Sequence, residues 1–349
     1  MIRQFMDNRH LSLATGAGFI LCIALLPLAL ELAGASGGGI AQLDVLNKIG
    51  IYAILALSLN LILGQTGLFH MGHAAFFAIG AYTTAILNTM YDWPVFSTLP
   101  LAGLLAALFA FAVALPIIHL RGDYLLVVTI GIVEIVRIAL MNNVFGITGG
   151  PNGIYGISRP ALLGLVFSSP KLQYYLIWSF TGITLFLFYL LEHSRFGRAL
   201  NYIKHDEVAA AGCGINVTRY KLAAFALGAF WAGMAGTLYA ANIRTIEPSS
   251  FNFYESVILF AIVILGGSGS NAGVILGAFL LVGLQDLFRG FESARMLFFG
   301  AAMVAMMIFR PQGLLPQRRR RYNASRYLGR FSTAIRRQYP YAEEEGSGT

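Results

Sequence analysis

The chain has 349 residues, of which 57% are hydrophobic and only 11% charged, against roughly 25% charged in an ordinary soluble domain. A water-soluble fold of this size cannot bury so much apolar surface, and two cysteines, Cys22 and Cys213, make neither a disulfide scaffold nor a thiolate cluster. The net charge of +8 does not signal nucleic acid, because nine arginines between Arg310 and Arg337 supply it directly after a hydrophobic run; basic residues placed there report topology and offer a surface for anionic lipid head groups.

Ten apolar runs approach the ~20 residues that cross a hydrocarbon core. They predict spans at 11–33, 44–63, 73–90, 98–118, 124–141, 172–191, 222–241, 254–266, 271–288 and 294–310. The first exceeds the apolar core of a signal peptide and is predicted to be an uncleaved span. An all-α, polytopic membrane protein follows. Residues 1–316 form its transmembrane domain, and 317–349 form a basic, largely flexible tail ending in EEEGSGT. With both termini cytoplasmic, 17 Lys and Arg residues fall inside and five outside, which sets the orientation.

Between the second and third spans lies GQTGLFHMGH (64–73). Its glycines interrupt the helix and its polar side chains sit at or near membrane depth, where irregular backbone is tolerated if it lines a cavity or is buried in protein. Asn60, Gln65, Thr66, His70 and His73 are therefore candidate pathway residues, against the alternative of a plain turn. No Cys, Asp or Glu stands near the two histidines, so no metal site is predicted. In the fifth span Glu134 and Arg137 share a helix face at i, i+3. The spacing favours a structural ion pair; the alternative is contact with a zwitterionic substrate, so both join the candidate pathway set. Next comes TGGPNG (148–153), a fixed turn. Thr148, Gly149, Gly150 and Asn152 are candidates for contact with a binding protein outside.

The longest polar insertion, 192–221, is predicted to hold a helix from about Arg195 to Ala211. A break follows at Gly212 and Gly214, and a second helix starts at Asn216, a residue type favoured at N-caps. Gly228, Ala232 and Gly236 in the seventh span and Gly269, Gly273 and Gly277 near the ninth repeat every four residues, which permits close helix contact. The chain has no G-x-x-x-x-G-K-[ST] phosphate loop and no hydrolase triad in an aqueous setting.

Several blocks together resemble the branched-chain amino-acid permease family of LivM type. They are LNLILGQTGLFHMGHAAFFAIGAYTTAIL (59–87), RGDYLLVVTIGIVEIVRIAL (121–140), TGGPNGI (148–154), SRFGRALNYIKHDEVAAAGCGINVTRYKLAAFALGAFWAGMAGTLYA (194–240), ILGGSGSNAGVILGAFLL (264–281) and FRPQGLLP (309–316). EVAAAGCGI (207–215) is also similar to the coupling loop of ATP-binding-cassette importer permeases. The resemblance implies a permease subunit of such an importer in the bacterial inner membrane, moving leucine, isoleucine and valine by alternating access. Family relatives take other amino acids, amides, urea or small carboxylates; a stand-alone secondary transporter is the rival from another class. It further implies a ten-helix fold like that of the vitamin B12 importer. The implied partners are a LivH-type second permease, two cytoplasmic ATPase subunits holding ATP and Mg, and a periplasmic amino-acid-binding protein. No enzymatic activity and no cofactor are expected of this chain itself. The coupling residues it implies are Lys204, Asp206, Glu207, Ala209, Ala210, Gly212, Gly214, Ile215 and Asn216, with Lys204, Asp206 and Glu207 as rim contacts.

Overall fold

The structure is a computed structural model that describes residues 39–120, 122–162 and 165–287, together with 300, 301, 304, 308–310 and 313–315. The predicted span 11–33 and the basic tail lie outside these residues, and 294–310 is described only at scattered positions. Ten α-helices run through the described residues: α1 (Gly39–Thr66), α2 (His73–Tyr91), α3 (Val95–Ile117), α4 (Asp123–Met141), α5 (Pro170–His193), α6 (Arg195–His205), α7 (Glu207–Gly212), α8 (Val217–Ile243), α9 (Phe253–Gly266) and α10 (Asn271–Leu287). Eight of them coincide with predicted spans. Six segments are long and apolar enough to cross a membrane: α1 from Gln42, α3, α4, α5, α8, and Pro248–Gly266, which contains α9. The chain is a helical, multi-pass membrane protein.

Helix ends follow local chemistry. Ser169 caps α5 by accepting from Leu172 N, with Pro170 at the first helical position, where its missing N–H costs nothing. Asn216 caps α8 through Arg219 N, as the sequence predicts, and Asn252 caps α9 through Glu255 N. The 192–221 insertion breaks twice rather than once. The expected break at Gly212 and Gly214 is present, with Gly214 at positive φ, and a second one that the sequence reading did not include falls at Asp206, because its carboxylate accepts from both Val208 N and Ala209 N and so starts a new helix.

α1 and α8 are central. α8 packs along α1, α2 and α3, and α1 along α5, α9 and α10. Most of the α1 span is buried (83%), against 22% of α4, which lies at the edge of the bundle. Small residues let the backbones close. An added Cβ on Gly80 would stand 2.2 Å from Gly233 O, and one on Gly236 2.5 Å from Phe77 O. The glycine spacings in α8 and α10 thus serve packing within this chain. Gly80→Leu is expected to lower stability in detergent by about 3 kcal/mol through overpacking. Gly182→Ala, where nothing lies within 4 Å, should leave the melting temperature unchanged or slightly raised.

The end of the bundle remote from α6 and α7 carries short β ribbons that the all-α expectation did not include. β1 (Ile154–Tyr155) pairs antiparallel with β4 (Thr245–Ile246), and β2 (Ala161–Leu162) with β3 (Leu165–Val166). They arise because extended connections here meet one another: Arg244 Nε donates to Ile157 O, and Ile157 N to Arg244 O.

Candidate translocation pathway and coupling knob

The interruption between α1 and α2 is a re-entrant turn. Ser58 donates its hydroxyl to Leu55 O and lies 2.7 Å from His73 Nε2. That leaves the histidine as donor, with Nδ1 unpartnered among the described residues. His73, the first residue of α2, thus meets α1 two turns before α1 ends, about 12 Å back along its axis. Residues 67–72 climb back into the bundle, and α2 begins inside it. Met71 N donates to Thr129 Oγ1 on α4, and Ala74 N to Ser256 Oγ on α9, so side chains satisfy the interrupted backbone. His70 is buried against Phe76 and Phe225, and its Nδ1 accepts from Gly72 N. Thr66 bonds back to Ile62 O, and Gln65 is buried. These side chains form a closed polar seam between helices. Among the described residues no group of His, Cys, Asp and Glu is arranged to hold a metal.

Asn60 has a different task. Its Oδ1 accepts from Gly269 N at 2.8 Å, and its Nδ2 donates to Asn271 Oδ1 at 3.1 Å. Asn271 in turn donates to Glu192 Oε2. One buried amide therefore ties α1 to the α9–α10 turn and, through it, to the end of α5. On α4, Arg137 Nη2 lies 2.7 Å from Glu134 Oε2. This is the self-satisfied pair that the spacing favours.

The 192–221 insertion folds as a knob of α6 and α7. The three charged residues expected at its rim are engaged inside the chain. Asp206 is the cap described above; Glu207 Oε1 pairs with the buried Lys221 Nζ at 2.5 Å; Lys204 Nζ donates to Gly64 O at 2.6 Å. Burial lowers the pKa of the Lys204 ammonium. Around α7 the knob exposes a small, apolar group, Val208 (75% exposed), Ala209, Ala211, Gly212 and Cys213, flanked by Tyr202, with Arg195, Arg198, His205 and Asp206 also exposed on the knob. Gly214 and Asn216 are exposed beside them, Ile215 is half-buried, and Ala210 faces inward. Sequence spacing overlooked Tyr202, though its place four residues before Asp206, on a helix whose other face holds Leu200 and Ile203, marks it as outward.

At the opposite end the Asn143 carboxamide oxygen accepts from Thr148 N, Thr148 Oγ1 and Gly149 N, locking TGGPNG. Gly149 and Gly153 have positive φ, and an added Cβ on Gly153 would meet Ile246 O at 2.0 Å. Gly150 is buried, while Pro151 and Asn152 stand exposed at the tip. A charged group missed by the sequence reading also emerges. Tyr52 Oη on α1 donates to Glu255 Oε2 on α9 at 2.6 Å, and Lys48 Nζ lies 5.6 Å from the Tyr52 ring centroid. The signal was available: Lys48 and Glu255 are among the few charges inside predicted spans.

A family model for the permease component of branched-chain amino acid transport systems matches residues 42–308. The chain is similar to the high-affinity branched-chain amino acid transport system permease protein LivM of Salmonella typhimurium, at 43% identity over 80% of this chain and 71% of that protein. It is similar to the LivM of Escherichia coli at 42% identity over 86% and 75%. A probable LivM of Methanocaldococcus jannaschii is 28% identical over 79% of this chain and 95% of its own. No solved structure matches the chain. With the match spanning α1 through α10, the chain belongs to the family of branched-chain amino acid transport system permease components.

Proposed function

We propose that this chain is one of two permease subunits of an ATP-driven importer in the bacterial inner membrane, carrying leucine, isoleucine, valine or related amino acids by alternating access. The observation that carries this reading is the knob. Lys204, Asp206 and Glu207 brace it internally while α7 and the end of α6 present Tyr202, Val208, Ala209 and Ala211 outward, as a helix seated in a cleft of another protein requires. Two ATPase subunits binding ATP and Mg dock there, a LivH-type permease completes the pathway, and a binding protein delivers substrate at the TGGPNG end. The knob faces the cytoplasm, where the Lys and Arg excess also lies. Closure of the ATPases moves the knob and the packed helices attached to it as rigid bodies.

Reconstitution tests the reading. Proteoliposomes holding this chain, its companion permease and both ATPases are expected to accumulate radiolabelled leucine only with ATP and the binding protein. Uptake by this chain alone, driven by an ion gradient, would replace the importer with a secondary transporter.

A further inference from the structure

We propose that Lys48 and Glu255 form a subsite for a zwitterionic amino acid on the seam between α1 and α9. Glu255 receives the α-ammonium group and Lys48 the α-carboxylate. This rests on the amino-acid permease reading and names contacts that the reading leaves open.

Glu255 lies in the first turns of α9, about 16 Å along the helix from Gly266 at 1.5 Å per residue, and so at membrane depth in the span Pro248–Gly266. Its backbone is held by the Asn252 cap and one carboxylate oxygen by Tyr52 Oη. The carboxylate is thus placed by groups that leave its charge unneutralised. Among the described residues neither Glu255 nor Lys48 has a salt-bridge partner. Tyr52 meets both groups: its hydroxyl bonds Glu255 Oε2, and its ring centroid lies 5.6 Å from Lys48 Nζ. An ionised side chain facing hydrocarbon is costly, and such groups normally line a substrate route or pair with each other. Glu255 is half-buried and Lys48 exposed, so both remain reachable.

Farther along α9, on the face of Ser256 four residues before it, Phe260 lies 6.3 Å from Phe69 between ring centroids, and Phe69 is 49% exposed. The same seam meets the re-entrant start of α2 through Ala74 N and Ser256 Oγ. Glu134 and Arg137 do not compete for this role, since each already neutralises the other.

The test uses the full assembly of two permeases and two ATPases in nanodiscs, without nucleotide or binding protein. Radiolabelled leucine is bound and then displaced by leucine amide, which lacks the carboxylate, or by 4-methylpentanoate, which lacks the ammonium. Wild type is expected to prefer leucine over each analogue about tenfold or more, the scale of one charge-assisted hydrogen bond. Glu255→Gln should erase the preference over 4-methylpentanoate only, and Lys48→Gln the preference over leucine amide only. Glu255→Asp should retain both, which guards against a misfolded Gln variant. Tyr52→Phe should weaken leucine binding a few-fold and keep both preferences. The proposal is overturned if Glu255→Gln and Lys48→Gln keep both preferences, or if Tyr52→Phe reproduces Glu255→Gln, since Glu255 would then serve only to anchor Tyr52. Wild-type assemblies that bind no leucine here overturn the subsite; the amino-acid reading itself falls only if they also fail to accumulate leucine with ATP and the binding protein.

Discussion

Val208→Asp combined with Ala211→Trp is expected to strip the ATPase subunits from this chain while leaving the companion permease bound. Val208 is 75% exposed and Ala211 also points outward, so neither change disturbs packing within the chain. Seated in a partner's cleft, an Asp would be desolvated without a base, and a Trp would need room that only a small side chain leaves. Substitutions at such central contacts each cost about 2 kcal/mol or more. Two of them, added, should weaken docking roughly a thousandfold. Affinity purification from mild detergent reads this as loss of both ATPases at unchanged yield of the two permeases. Full recovery of the ATPases with the double variant would move the docking surface elsewhere. The contrast with Glu207 is instructive: its carboxylate holds the buried Lys221, so charge reversal there would unseat α7 and report folding as much as docking.

Helix positions were legible because a membrane span is a property of local composition: each needs about twenty apolar residues. Caps were legible where a single side chain decides, as at Asn216. Pairings distant in sequence were not. Periodicity around GQTGLFHMGH reveals an interruption, but not that His73 returns to Ser58 or that Ala74 reaches Ser256. Nor does composition show that Asn60 clasps the α9–α10 turn from more than two hundred residues away. Glu255 was overlooked for a related reason. An acidic residue in a first helical turn is ordinarily a response to the helix dipole, and only its contact with Tyr52 distinguishes it. At Asp206 the sequence reading missed a cap, a carboxylate accepting two backbone N–H groups, which adds a break upstream of the expected one at the glycines.

Lys204→Met is expected to uncouple the transporter, raising the ATP hydrolysed per leucine imported by about tenfold. α1 ends with carbonyl groups that have no partner within the helix, at the negative end of its dipole. Lys204 supplies one such partner: its Nζ donates to Gly64 O at 2.6 Å. An added Cβ on Gly67, at φ 74°, would meet Lys204 Cγ at 3.2 Å, so this turn accommodates the lysine stem closely. The lysine is the polar strut from the knob to the helix that occupies the bundle's centre. A hydrogen bond to a charged donor contributes about 1.5–3 kcal/mol, which is tenfold or more in an equilibrium between knob-attached and knob-detached α1. Methionine keeps the length and apolar stem but cannot donate, so the knob would still move with the ATPases while α1 follows less often. Lys204→Arg, which preserves the donor and charge, should recover a large part of the coupling. The measurement is leucine uptake and phosphate release in the same proteoliposomes. If both fall together in Lys204→Met, the residue supports docking or folding; if both stay at their wild-type rates, motion reaches α1 by another route, with the Glu192–Asn271–Asn60 chain the next to break.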